Sequence, residues 1–509
     1  MKRHPFARSE FRMKPLSALL IASMLPVSAG AMTINPGGTG QVLLYPYFTV
    51  NAHQQTLLTI TNTRNEGKAV RVRFREAYNG REVLGFVLYL GSHDTWTGTL
   101  FSLSDAALPG AGAALATDDK SCTTPSFTSL PTHLSNGDVY QPFLSYAYQS
   151  YNADGGPTDD SRTREGFFEV LEMADISGAT LQQVSSGDNP SADCTHVSDL
   201  TADSPDFAPP SGGIAGTAAI INAPRGTFFA TNATAIDGFT KQILFVPTVE
   251  LHPDLTDATP SSAGVVTANL LVHGSEVSLN YPVTSDPLTN QSIDAVSALL
   301  MASTINTDWD LSPGIGARTD WVLTFPTKHY YVDAQIYTSP EMSNAPFSDA
   351  FDVQYGNEDE AADVAAYSRE GAYLSSGSIV IEPPPPGVAQ PVLGIEVQVL
   401  SLLRFGDTVP SASFVLGSNL FAPHYFADPD NPDITVGTAD LDFHSDGTHR
   451  MRPAQDGSVL QGLPVLAFDA VNYVNANVTA GVLANYAAAF PSRTNLLCPL
   501  DQTLTEHCP

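Results

Sequence analysis

The clearest periodic stretch in the chain is Val70-Arg71-Val72-Arg73-Phe74-Arg75, where apolar and basic residues alternate without interruption. Side chains on a strand point to opposite faces in turn, so Val70, Val72 and Phe74 belong to one face and the three arginines to the other. Similar patterns flank it, and they predict strands near Gln41–Val50, Thr56–Asn62, Ala69–Tyr78, Glu82–Leu90 and Thr95–Leu103. The breaks between them are turn-like. Asn79-Gly80 is the sharpest, because both residues tolerate the positive φ of a tight hairpin. Five short strands in a row predict an antiparallel, immunoglobulin-like β-sandwich.

Farther on, the pattern loosens. Ser104 to Arg164 is rich in small and polar residues and reads as an excursion from the sheet. Gly166 to Met173 predicts a buried strand returning to it, and Ala215–Asn222 with Gly226–Ala235 predicts a strand pair. Asn290 is placed to cap a helix through Ile293, Val296 and Leu300, and Asn357 with Glu360 marks a second short helix ending at Gly371. Trp321–Phe325, Tyr330–Tyr337, Ser376–Ile381, Val392–Phe405, Ser411–Leu416 and Leu463–Val474 read as strands. Pro383-Pro384-Pro385-Pro386 must be extended, and a stiff connector is its simplest role.

Composition agrees with a turn-rich β protein: among 509 residues there are 38 Gly and 38 Pro, and only 15% are charged. That length exceeds one hydrophobic core. The expected division is a signal peptide over 1–31, a β-sandwich domain over 32–237 and a β-rich domain over 238–509. The leader carries Lys2, Arg3, Arg8, Arg12 and Lys14, then an apolar run from Leu16 to Val27, then Ala29-Gly30-Ala31 for the peptidase. Met13 is an alternative start within it. The apolar run is shorter than the ~20 residues a spanning helix needs, so the mature chain is expected to have no transmembrane anchor and to be secreted or held at the cell surface, with the periplasm as the other destination.

Loss of the leader removes five basic groups and one acidic group, leaving 18 against 52 and a net charge of −34. Such a field repels nucleic acid, which excludes that class of partner. Cys122, Cys194, Cys498 and Cys508 all remain after cleavage. An even count in an exported chain points to disulfides. Of the three pairings, Cys122–Cys194 with Cys498–Cys508 is preferred, and no CxxC spacing favours a metal.

Three arginines on one strand face lie ~6–7 Å apart and repel unless carboxylates stand opposite. Glu76, Glu82, Glu169 and Glu172 are near enough, with Glu169 or Glu172 the preferred cross-strand partner. A structural ion-pair ladder is a better reading of Arg71, Arg73, Arg75, Glu169 and Glu172 than an anion site. Asp428, Asp430 and Asp433 form a candidate calcium loop, although Pro432 interrupts it and the EF-hand glycine is absent. His444 and His449 with Asp442 suggest zinc only weakly, since Gly447 places a turn between them. There is no GxSxG, HExxH, SxxK, GxxxxGK[ST] or helix-opening GxGxxG motif. A carboxylate pair for glycoside hydrolysis leaves no local signature. Tyr45, Tyr47, Tyr89 and Trp96 read as core aromatics before sugar platforms.

Gly40-Gln41, Tyr45-Pro46-Tyr47-Phe48-Thr49-Val50, the stretch Lys68 to Glu76, Asn79 to Leu84, Asp94-Thr95-Trp96-Thr97, Trp321 to Lys328 and Ala484-Asn485-Tyr486 resemble a family of uncharacterised exported proteins of Gram-negative bacteria. The resemblance spans most of the mature chain. It implies a secreted or surface-associated protein and supplies no catalytic residue. The function expected is therefore structural or interactive, with other extracellular proteins, surface proteins or glycans as partners. A carbohydrate-binding or calcium-dependent adhesive module is the alternative, and a secreted hydrolase with a dispersed site stands third.

Overall fold

In the computed structural model the opening strands divide between two sheets. The structure describes residues 30–127, 132–185, 193–247, 253–259, 264–286, 289–333, 344–348, 350–351, 362–374, 393–404, 406–426, 434–445, 447–479 and 481–507. It is mainly β, with 46% strand and 12% helix, and holds several antiparallel sheets and a few short helices. Residues 1–29, most of the expected leader, lie outside the described residues.

The first strands are β1 (Ala31–Ile34), β2 (Val42–Thr49), β3 (Gln55–Asn62), β4 (Gly67–Glu76), β5 (Glu82–Leu90) and β6 (Thr95–Ser102). Next come β7 (Ala113–Thr117), β8 (Cys122–Thr124), β9 (Val139–Pro142) and the long β10 (Glu165–Ile176). After helix α1 (Gly178–Val184) follow β11 (Phe207–Ala208), β12 (Ile214–Asn222), β13 (Thr227–Asn232) and β14 (Thr234–Asp237). The hairpin β15 (Val265–Val272) and β16 (Ser275–Pro282) completes this part. One sheet runs β16-β15-β1-β14-β2-β10-β4-β5-β8, with β11 on β10, and the other runs β13-β12-β3-β6-β7-β9. The chain thus crosses between layers after β2, β3 and β5, and again after β7, β8, β9, β11 and β13.

That division follows from the faces. Val70, Val72 and Phe74 of β4 pack with Leu43, Tyr45, Phe86 and Phe168 of their own sheet against Leu58, Ile60, Trp96 and Leu100 of the other. The β15–β16 hairpin turns through His273 (φ 49) and Gly274 (φ 84); two positive φ values match the handedness of the strand twist there. The expected boundary after residue 237 falls between β14 and β15, which belong to one sheet.

The remaining strands are β17 (Met301–Ala302), β18 (Thr304–Asp310), β19 (Arg318–Thr324), β20 (Asp363–Ser368), β21 (Tyr373–Leu374), β22 (Val397–Arg404) and β23 (Phe421–Phe426). They continue with β24 (Val436–Asp442), β25 (Leu463–Pro464), β26 (Leu466–Thr479), β27 (Val482–Pro491) and β28 (Arg493–Asn495). The helices here are α2 (Ser292–Leu300) and α3 (His329–Val332). Sheet β21-β20-β24-β18-β28 lies over sheet β23-β22-β19-β26-β27; Ile305, Trp309 and Leu441 share a core with Trp321, Leu323 and Leu400. The other face of the second of these sheets meets the first sheet, where Tyr47 and Phe167 join Val322, Val397, Val399 and Phe468. The arginine face of β4 therefore looks into protein.

Three expected elements differ. Tyr330 and Tyr331 sit in the helical turn α3, with Tyr331 N donating to Lys328 O at 2.8 Å, so strand-like composition is overridden by packing of both rings into the core. Asp363–Ser368 is a strand against β24, which replaces the last part of the helix expected before Gly371. Ser411–Leu416 forms a turn held by Asp320, whose carboxylate accepts from Val415 N at 3.0 Å and Leu416 N at 2.9 Å. Residues 376–381 and 383–386 lie outside the described residues.

Candidate functional site: a buried ionic layer

The densest grouping of chemically active side chains lies between the first sheet and the β19-β22-β26 layer. It starts from register. Glu169 of β10 stands directly opposite Arg73 of β4, and Glu82 of β5 opposite Arg75. Glu169 Oε1 accepts from Arg75 Nε at 3.1 Å and Nη2 at 2.9 Å, with Arg73 Nη1 at 3.7 Å. Glu82 accepts from Arg73 Nε at 2.8 Å and faces Arg71 Nη2 at 3.6 Å. Arg73 Nη1 also donates to Pro253 O at 2.7 Å. Gly85 makes this arrangement fit, because a Cβ there would lie 2.0 Å from Glu82 Oε1. Burial and the Arg73 charge pull Arg71 down to about 10.

Glu172 does not join this ladder. It lies three residues after Glu169, and an odd spacing turns a strand side chain to the other face. There it meets Lys68 Nζ at 2.7 Å, while Asp175 sits 2.5 Å from the same ammonium. Burial first, and then the hydrogen bond to Asp175, hold the Glu172 carboxyl well above the usual range. At Asp175 burial pushes upward but is outweighed by hydrogen bonds from Glu172, Lys68 and Ser211. The opposite shifts of the two carboxyls favour a proton on the Glu172 side and a charge on the Asp175 side of the ammonium.

Two further groups were not foreseen from the sequence. Arg162 donates to Glu76 through Nε (2.7 Å) and Nη2 (3.0 Å), and to Asp154 through Nη1 (2.7 Å) and Nη2 (2.6 Å). Its guanidinium also lies over the rings of Tyr148 and Tyr78, at 4.3 and 5.1 Å from their centroids. Glu76 in turn accepts from the backbone N–H of Tyr78, Asn79 and Arg81, which fixes the turn into β5. Beside it, His329 Nδ1 lies 2.5 Å from Glu396 Oε1, both fully closed off from solvent. Burial and then the nearby arginines hold His329 well below the usual imidazole range, while burial holds Glu396 well above the carboxylate range. Both shifts favour the uncharged form of each partner. Gly80 (φ +60) leaves room for the pair, since a Cβ there would meet Glu396 Oε2 at 2.0 Å.

The signal for these groups is in the sequence, but spread out. Glu165, Glu169, Glu172 and Asp175 punctuate an otherwise apolar strand, and buried acids require partners. Lys68, Arg75 and Arg81 stand near by in sequence order; Arg162 and His329 are placed only by tertiary folding.

Comparisons with family models, curated proteins and solved structures find no match. The chemistry has to be read from the chain itself.

The other predicted residues are dispersed. Cys122 and Cys194 form a disulfide with Cα atoms 5.3 Å apart. Cys508, and with it the expected Cys498–Cys508 pairing, lies outside the described residues. So do Asp428, Asp430 and Asp433. His444 Nδ1 pairs with Asp442 at 2.6 Å, whereas the buried His449 is engaged by Pro346 O at 3.1 Å. No group of three metal-ligating side chains occurs among the described residues, and no helix among them is long and apolar enough to cross a membrane. Tyr45, Tyr47, Tyr89 and Trp96 are all core residues.

Grooves open at the surface of the described residues. One of about 430 Å³ runs over the outer face of β3 and β6, lined by Leu57, Thr59, Thr97, Thr99, Asp118 and Asp138 among others. The second, about 310 Å³, is bordered by Glu82, Leu84, Phe127, Gln141, Leu144 and Tyr146. Tyr146 is 68% exposed, and its hydroxyl bonds that of Tyr151, which is 81% exposed.

A separate buried carboxylate provides a pH test of the core. Asp469 of β26 accepts from the Thr307 hydroxyl at 2.7 Å, and burial raises it to about 6. A raised folded value means that its contribution is complete below the unfolded pKa near 4 and is lost as pH rises through about 6. The two-unit difference corresponds to roughly 2–3 kcal/mol. Asp469→Asn is expected to raise the melting temperature at pH 8 and to leave it nearly unchanged at pH 4. Thermal unfolding at both values checks the sign.

Proposed function

We propose that this chain is an exported, non-catalytic protein of immunoglobulin-like sandwich type, with a structural or interaction role at the cell surface or outside the cell. One observation carries the reading: its concentrated charges are largely shut away from solvent and paired with one another. Arg71 and Arg73 are 1% and 2% exposed. Such groups tie layers together and have no open face for a substrate. The buried Cys122–Cys194 bridge supports an oxidising destination, in keeping with the export signal and the family resemblance.

Arg73→Ala tests the structural role. It strips one donor from Glu82 and the donor to Pro253 O, while Arg71 and Arg75 stay beside the carboxylates. The expected loss is about 2–3 kcal/mol, read from the urea midpoint, with binding to any partner unchanged. A variant that melts normally but loses a ligand would reverse the reading.

A carbohydrate-binding role is the second reading, and the Tyr146–Tyr151 rim favours it. Exposed aromatic faces stack on sugar rings, and Gln141 in the adjoining groove supplies a hydrogen-bonding amide for hydroxyls. A glycan array with the purified chain and with Tyr146→Ala separates the two. Binding abolished by that substitution supports the second reading.

A further inference from the structure

Strand β27 ends its sheet, pairing among the described residues with β26 alone. Ala487 and Ala489 pack inward with the cluster that holds Phe229, and Asn485 bonds Arg225 O. The even-numbered side chains turn outward, and there Val482, Tyr486 and Phe490 are 49%, 66% and 53% exposed, with Ala484 and Ala488 between them. Edge strands of soluble proteins are usually guarded by charge, internal proline or a bulge. Val482 to Phe490 holds no charged residue and no proline, in a chain of net charge −30.

The outward row is also symmetric. Val482, Ala484, Tyr486, Ala488 and Phe490 read large, small, large, small, large in either direction. Laid antiparallel against itself about Tyr486, the strand sets Val482 opposite Phe490, Ala484 opposite Ala488, and Tyr486 opposite its twin. Aromatic against β-branched, and aromatic against aromatic, are favourable cross-strand pairs. A two-residue slip sets alanine opposite the large residues, and a four-residue slip pairs only three of the five positions.

We propose that β27 is a homodimerisation edge: two copies of this chain pair antiparallel about a twofold axis through Tyr486, joining their β23-β22-β19-β26-β27 sheets into one. A second copy is favoured over an unrelated strand because the row complements itself. It is also uncharged where two acidic copies must approach. This deepens the contact role proposed above by naming a partner. Its failure would leave that role to the Arg73 and glycan experiments, which do not depend on oligomeric state.

The test uses single cysteines in the full chain. Residues directly opposite in an antiparallel pair have Cα atoms about 4.5–5.5 Å apart, within disulfide reach. Tyr486→Cys is therefore expected to give a covalent dimer on a non-reducing gel after mild oxidation. Ala484→Cys lies ~13 Å from its own counterpart, four residues out of register, and is expected to stay monomeric. Sedimentation of the unaltered chain at tens of micromolar should show a dimer, and Tyr486→Lys should show a monomer that melts where the unaltered chain does when diluted below its dimerisation range. Since Tyr486 is largely exposed, neither change at this position touches the core. A monomer throughout, or cross-linking through residue 484 as readily as through 486, overturns the proposal.

Discussion

Arg162→Ala is expected to cost about 3–5 kcal/mol, close to half the stability of an ordinary domain, and to lower the urea midpoint accordingly. Both partners of the Arg162–Glu76 pair are 0% exposed at the side chain, and Asp154 is 1%. Alanine leaves two carboxylates facing each other without solvent, and only Arg81 Nε, 3.9 Å from Asp154 Oδ2, is left to offset them. The two Glu76 oxygens still receive three backbone N–H groups of the following turn, which holds that carboxyl group in place beside Asp154. The stacked faces of Tyr78 and Tyr148 lose their filling as well. Arg162→Lys separates charge from geometry: it restores one cation but not the double fork onto Glu76 and Asp154. It should recover only part of the loss. If Arg162→Ala unfolds at the same urea concentration as the unaltered chain, the ionic layer is not what holds these sheets together.

What the local pattern shows and what it hides can be traced to single residues. The alternation over Val70–Arg75 identifies β4 and both its faces, because a period of two is a property of one strand. It does not say which strand lies alongside. That is why five strands that look like one meander divide into β2, β4 and β5 in one sheet and β3 and β6 in the other. Glu169 was accessible as an arginine partner, and the odd spacing to Glu172 already excluded it from the same ladder. The hairpin β15–β16 also had a signal, in Val266, Ala268, Leu270, Val272 and then His273-Gly274. By contrast, Tyr330 and Tyr331 suit a strand by composition, yet they sit in a helical turn that buries both rings and brings their hydroxyls to Arg75 and Asp294. The His329–Glu396 pair joins positions 67 residues apart, and no periodicity reports such a meeting. The candidate site was thus half visible: its arginines and one of its acids can be read from strand faces, and the rest depends on how layers stack.

Removing the Cys122–Cys194 bridge, by Cys122→Ala with Cys194→Ala, is expected to cost about 4 kcal/mol if the loss is mainly unfolded-chain entropy. The two cysteines are 72 residues apart, and a loop of that length restricts the unfolded chain more than a short one would. The native side of the balance works in the same direction. Cys122 lies in β8, a three-residue edge strand on β5, and Cys194 begins the turn whose Val197 O receives the Tyr89 hydroxyl at 3.3 Å. Without the bridge, β8 has only its short pairing over Val87–Tyr89 to hold it. The loss should therefore appear in two measurements: a lower urea midpoint for the whole chain, and faster amide exchange confined at first to β8 and residues 193–199. Global destabilisation without faster exchange there would place the effect wholly in the unfolded state. An unchanged midpoint would mean that the packing of Tyr89 and Val197 secures this edge by itself.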